Sequence, residues 1–141
     1  MKNGEIIIED LVVNNILTKD KFFTAKISDT AKVKIENGDY TSYEISPVTI
    51  CGEKIYISLY FFKEHITAID LYILLGNETS SWDNWSREDE VKRKSKQERW
   101  LADNYNISGS YNAPWGSIHS IFDEKAGFSY ISIKFITNSV V

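Results

Sequence analysis

The sequence predicts an α+β fold: an antiparallel β-sheet, built as a meander plus a C-terminal hairpin, with a short N-terminal helix and one long helix packed on it. Three observations carry that expectation. Apolar residues alternate strictly in stretches such as "KIYISLYFF" and "FSYISIKFI". The connections between such stretches are turns of a few residues, too short for a parallel crossover. One segment only, from Ser86 to Tyr105, carries helix signals over a long run. The chain has 141 residues, a length that favours a single domain over 1–141.

The first predicted helix lies in "ILTKDKFFTAKI". Thr18 can cap it, because its hydroxyl can accept from a free first-turn amide. Leu17 and Phe22 occupy the positions of a hydrophobic staple. "AKVKIENGDYTSYEI" then reads as a hairpin. Val33 and Ile35 alternate with Lys32 and Lys34, the pattern of a strand with one wet face. Asn37-Gly38 supplies the positive φ values of a type I′ turn. Pro47 lacks a ladder donor and marks a bulge, an edge or a strand end.

A turn is expected at Gly52-Glu53, followed by a strong strand with Ile55, Ile57, Leu59 and Phe61 on one face. "KEH" makes a compact turn that includes His65. The returning strand places Ile69, Leu71, Ile73 and Leu75 together. Ser86 then caps the long helix. Glu88, Asp89 and Glu90 suit its positive end, and Glu88–Lys92, Asp89–Arg93 and Glu90–Lys94 are spaced i,i+4. Only Val91 is available to bury over residues 87–97, so that half is expected to stand in solvent, with Leu101, Ala102, Tyr105 and Trp100 docking the other half. "NISGSYNAPWG" is a loop by composition. The closing hairpin turns through "DEKAG", with Ile131, Ile133 and Phe135 on one face.

Composition narrows the function. Hydrophobic residues make up 43% and charged residues 26% of the chain, enough apolar material for a packed core. The net charge is −4 and the pI about 5.2. A mildly acidic chain makes nucleic acid an unlikely partner and suits a basic protein. The apolar run Ile6–Ile8 is too short for a signal peptide, and no stretch reaches membrane-spanning length. The expectation is a cytoplasmic protein with no membrane association.

Chemistry is sparse. His65 and His119 have no Cys or second His at ligand spacing, so no metal site is expected. The lone Cys51 reads as a small buried hydrophobe. None of the phosphate-loop, dinucleotide, zinc-protease or nucleophile-elbow patterns occurs. The expectation is no enzyme, no catalytic residues and no cofactor. "KRKSK", Lys92–Lys96, reads as a solvated face paired with acids one turn back, ahead of a protein contact or phosphate binding.

The aromatics give the sharper signal. Trp82 and Trp85 precede the charged helix, and Tyr105, Tyr111 and Trp115 sit among Ser, Gly and Asn. Rigid aromatics on adaptable polar backbone are what recognition loops use. These five are the expected partner-binding residues. They could instead line a small-ligand pocket at the sheet end.

Across the C-terminal half, "SSWDNWSREDEVKRK", "WLADNY" and "PWGSIHSIFDEKAGFSYISIKF" form a pattern: W-x-x-W-S at Trp82, Trp85 and Ser86, W-L at Trp100 and Leu101, W-G-x-I at Trp115, Gly116 and Ile118, and a final D-x-x-x-G-x-S at Asp123, Gly127 and Ser129. In this the chain resembles a group of small bacterial proteins without an assigned reaction, which are in turn similar to the immunity partners encoded beside polymorphic or contact-delivered toxins. The resemblance implies a non-catalytic binding protein, an immunity protein that covers a toxin's active site. It implies no catalytic residues. The sequence leaves the toxin's identity and the oligomeric state open.

Overall fold

The computed structural model describes residues 4–76 and 86–136. In chain order the elements are β1 (Ile6–Ile8), β2 (Leu11–Val13), α1 (Lys19–Thr24), a 3-10 turn (Lys26–Thr30), β3 (Lys32–Asn37), β4 (Tyr40–Ile50), β5 (Glu53–Phe62), β6 (His65–Ile73), α2 (Arg87–Tyr105), β7 (Ser110–Ala113), β8 (Gly116–Asp123) and β9 (Phe128–Phe135). The fold is α+β. Its main sheet has seven strands in the order β3-β4-β5-β6-β9-β8-β7, and every pair is antiparallel. Two locally connected sets, β3–β6 and β7–β9, meet at one seam. There β6 pairs with β9 from Ala68↔Lys134 to Leu71↔Ile131.

One face of the sheet is apolar and covered. Ile55, Ile57, Leu59 and Phe61 of β5, Ile69, Leu71 and Ile73 of β6, and Ile131, Ile133 and Phe135 of β9 are all buried. The β1–β2 hairpin adds Ile6, Ile8, Leu11 and Val13 to the same core. Sequence patterning had not marked this hairpin. Its two strands are three residues each, too short for alternation to register.

The sheet coils around α2. Gln97 bonds to Ser120 in β8, while Trp100, one turn on, bonds to Ile50 in β4. Those strands are four places apart in the sheet order, about 19 Å if the sheet were flat. A single helical turn reaches both because the strands curl about it, in the sense set by strand twist.

Local chemistry accounts for several expected boundaries. Thr18 Oγ1 accepts from Lys21 N at 3.2 Å, and Ser86 Oγ accepts from Asp89 N at 3.1 Å, so both helices are capped as their sequences predict. The ladder between β4 and β5 shifts register between Ile45 and Val48, which places the bulge at Pro47. Asp10, in the β1–β2 turn, caps the 3-10 turn through Lys26 N at 2.6 Å. That bond holds its carboxyl below the ordinary range.

Other boundaries need correction. Asn37 pairs with Tyr40, so the turn centres on Gly38-Asp39. Only Gly38 of the two has positive φ, the pattern of a type II′ turn. The next turn centres on Cys51-Gly52, both with positive φ. Cys51 is therefore exposed at a hairpin tip instead of buried, because the central residues of a two-residue turn project beyond the sheet. His65 opens β6, where it bridges to Thr18. β6 ends at Ile73, short of Leu75.

The expected loop after α2 contains β7. Its residues are turn formers, and pairing with β8 imposes the extended shape. Gly116 makes that hairpin possible: a Cβ there would lie 1.9 Å from the Lys134 carbonyl oxygen.

The edge strand departs most from its pattern. β3 shifts register between Val33 and Ile35. Val33 pairs with Tyr43, whose ring meets the core residues Phe22 and Phe61. Ile35 pairs with Ser42 on the opposite face. The bulge thus splits two residues that alternation places together. Both are left open, at 56% and 48% exposure.

Candidate functional site

The aromatics singled out by sequence do not form one described patch. Trp82 and Trp85 lie outside the described residues. Trp115 is a core residue packed against Phe135. Tyr105 is half-buried against Trp100 at the end of α2, with its hydroxyl 3.9 Å from Cys51 Sγ. Burial, with Cys51 beside it, raises its pKa. Tyr111 is exposed on the edge strand β7. Each ring has different neighbours.

α2 also departs from expectation. Most of residues 87–97 are open, but the first half docks too, and by polar residues instead of Val91. Val91 is 52% exposed, while Glu90 and Arg93 are 1% and 0% exposed and Gln97 is fully buried. The docked stripe is Glu90, Arg93, Gln97, Trp100 and Leu101, which has helical spacing but a polar first half. A search for apolar periodicity passes over such a stripe. The signal that could have found it is the run of ionisable residues at i and i+3 facing a sheet.

The physical reason is at the sheet seam. Above Leu71↔Ile131, β6 and β9 no longer pair. The Ile73 carbonyl and the Ser129 amide would be left without partners there. Arg93 Nη1 donates to the Ile73 carbonyl, and Ser129 N donates to Glu90 Oε1 at 2.9 Å. Glu90 and Arg93 bind each other through two nitrogens, at 3.0–3.3 Å. The Ser129 hydroxyl donates to the Glu90 carbonyl at 2.8 Å. Arg93 also lies 4.0 Å from the Tyr72 ring centroid. An ion pair therefore replaces the missing rungs of the ladder. Further along, Gln97 Nε2 donates to Ser120 Oγ and to the Tyr130 carbonyl, both at 3.0 Å.

The "KRKSK" run has no free cationic face. Lys92 pairs with Glu88 at 3.6 Å, Lys94 with Glu98 at 2.7 Å and Lys96 with Glu53 at 3.1 Å. Of the three expected i,i+4 pairs, Glu88–Lys92 forms. Asp89–Arg93 and Glu90–Lys94 are replaced by Glu90–Arg93 and Lys94–Glu98.

The opposite face of the main sheet is the stronger candidate. α1, α2 and the β1–β2 hairpin all contribute to the core on the apolar face, and no other described element lies on the opposite one. The cross-strand row Glu44, Ser58, Asp70, Ser132 and His119 runs across five strands of that face. Tyr56, Tyr60, Tyr72 and Tyr130 flank the row at alternate positions of the same strands. Tyr56 Oη donates to Glu44 at 2.6 Å, and burial followed by that carboxylate pushes its pKa up to about 12. Tyr60 Oη donates to Asp70 at 3.1 Å, and burial with Asp70 raises its pKa strongly. Burial also raises Asp70's own pKa, opposed by hydrogen bonds from Tyr60 and Ser132. Tyr130 is raised by burial and by the charge of Asp70.

Chemically this face offers phenol rings, hydroxyls and two carboxylates on a rigid support. It suits recognition of cationic or hydrogen-bonding groups. The sequence shows the alternation that puts Tyr56 and Tyr60 on one face. The cross-strand row depends on register, which no local signal in the sequence specifies. No helix among the described residues is long and apolar enough to cross a membrane. Compared with protein-family models, with curated proteins and with solved structures, the chain matches none.

Proposed function

We propose that this chain is a non-catalytic binding protein of the immunity type, which neutralises a basic bacterial toxin in the cytoplasm by covering its active site. The uncovered sheet face is the contact surface in this reading. The observation that carries it is the set of three tyrosines, Tyr56, Tyr60 and Tyr130, and two carboxylates on rigid strands, with no described helix packed over them; Tyr72, at the end of the row, is met by Arg93 of α2. Tyrosine supplies large contact area at low entropic cost, and the carboxylates favour a basic partner. The net charge of −4 supports the same choice of partner. The resemblance of the W-x-x-W-S, W-L and W-G-x-I elements to immunity-like proteins supports the biological role.

The test is co-expression with the toxic protein encoded beside it. Cells making both are expected to grow, and cells making the toxin with a Tyr56→Ala/Tyr60→Ala chain are expected to die. Death in the presence of the unaltered chain would reject the reading for that pair.

A further inference from the structure

The uncovered face holds two carboxylates that differ in one respect. Glu44 has a cation. Lys34, from the bulge of β3, places its ammonium 3.6 Å from Glu44 and 5.9 Å from the Tyr60 ring centroid. Asp70 lies in the same row, two strands away. It accepts from Tyr60 and from Ser132, and Lys34 and Lys134 act on it electrostatically, but no cation of the described residues lies within ion-pair distance. Two hydroxyls leave part of its acceptor capacity unused.

The same molecule shows what completes such a group. Arg93 is held by the Glu90 carboxylate through two nitrogens while its guanidinium lies against the Tyr72 ring. Asp70 is two residues from Tyr72 on one strand and has Tyr60 and Tyr130 beside it. Acid and phenol rings are repeated there, and the guanidinium is not.

We infer that Asp70, with Tyr60 and Tyr130, receives an arginine side chain of a protein partner. The inference rests on reading this face as the partner-binding surface. Arginine fits better than lysine because its planar fork can meet a carboxylate edge-on while its face stacks on a ring. A protein fits better than a free amino acid because no described helix lies over Asp70 and a lone ligand would be held on one side only.

The experiment is a titration of the isotope-labelled chain with N-acetyl-arginine amide, followed by amide chemical shifts. The uncharged N-acetyl-citrulline amide is the control. Shifts are expected at Tyr60, Asp70, Tyr130 and Ser132, saturating in the millimolar range. Citrulline should give none, and Asp70→Asn should weaken binding at least tenfold. Equal response to citrulline, shifts centred elsewhere, or unchanged binding by Asp70→Asn would overturn the inference. The citrulline arm needs no variant, so it decides even if Asp70→Asn fails to fold. Failure of the immunity reading is distinguishable, since arginine would still bind at Asp70 while the co-expressed toxin still killed. A chain that protects cells equally with Asn at position 70 would sink the arginine contact alone.

Discussion

Two acid–tyrosine groups in this protein use the same parts to opposite ends. Glu90, Arg93 and Tyr72 form a closed set at the sheet seam, with the ion pair dry and bonded to strand backbone. Asp70, Tyr60 and Tyr130 form an open set on the other face, with hydroxyl donors and two lysines, Lys34 and Lys134, acting from a distance but no cation in direct contact. In the first, the polar groups substitute for missing ladder bonds, so removing one strands the others. In the second, the ionised acid is under-served in the free protein, a state that a partner can relieve. Burial alone does not distinguish the two groups; the completeness of each group's partners does.

The largest effect is expected at the closed set. Arg93→Ala leaves Glu90 charged and buried and the Ile73 carbonyl unpaired. It should cost about 3–5 kcal/mol in urea denaturation. A loss under about 1 kcal/mol would show that water fills the seam freely and would erase the contrast. Leu101→Ala, at the apolar end of the same stripe, should cost about 2–5 kcal/mol. If it cost much more than Arg93→Ala, the helix would be held chiefly by its apolar half. Ser86→Ala removes the cap at the polar end and should cost about 1 kcal/mol, read as a lowered midpoint with unchanged denaturant slope.

The open set predicts the opposite sign. Burial raises Asp70's pKa above its unfolded value. The folded state is thus favoured while Asp70 stays protonated, below the ordinary carboxylate pKa. That margin is lost as pH rises through the folded value. Asp70→Asn should therefore stabilise the chain near pH 7, by up to about 1 kcal/mol, with the gain fading as pH is lowered into the carboxylate range. Thermal melts across pH would check it, and destabilisation at neutral pH would place Asp70 with the closed set. The smallest effect is expected at Lys94→Ala. Its pair with Glu98 is partly exposed, and about 0.5 kcal/mol or less should be lost.

The same contrast explains what the sequence made legible. The strands with strict alternation, the two helix caps and the Pro47 bulge follow from local chemistry and were readable. The polar docking of α2 was not, because Glu90, Arg93 and Gln97 look like a solvated face until the seam they fill is known. Val33 and Ile35 misled for a related reason: a bulge set by pairing with β4 overrides their alternation. Cys51 was misjudged because a one-residue shift in a turn decides whether it faces core or solvent. The row through Glu44 and Asp70 joins residues far apart in sequence, and only register brings them together. Trp115 and Tyr105 read in the sequence as contact residues, yet Trp115 packs in the core and Tyr105 is half-buried, because large aromatics serve cores as often as contacts.

The seam also sets a timetable. β3–β6 and β7–β9 are each chains of hairpins, which form in about 1–10 μs. Leu71 and Ile131 are partners about sixty residues apart in sequence, so joining the halves closes a long loop and is slower. The finished join also requires α2 in place, since Glu90 and Arg93 supply its upper contacts. Until then β6 and β9 are both free margins, rich in isoleucine and guarded by one charge each, Asp70 and Lys134. The chain's exposure to misassembly thus lies at what becomes the middle of the sheet, and it ends when the helix arrives.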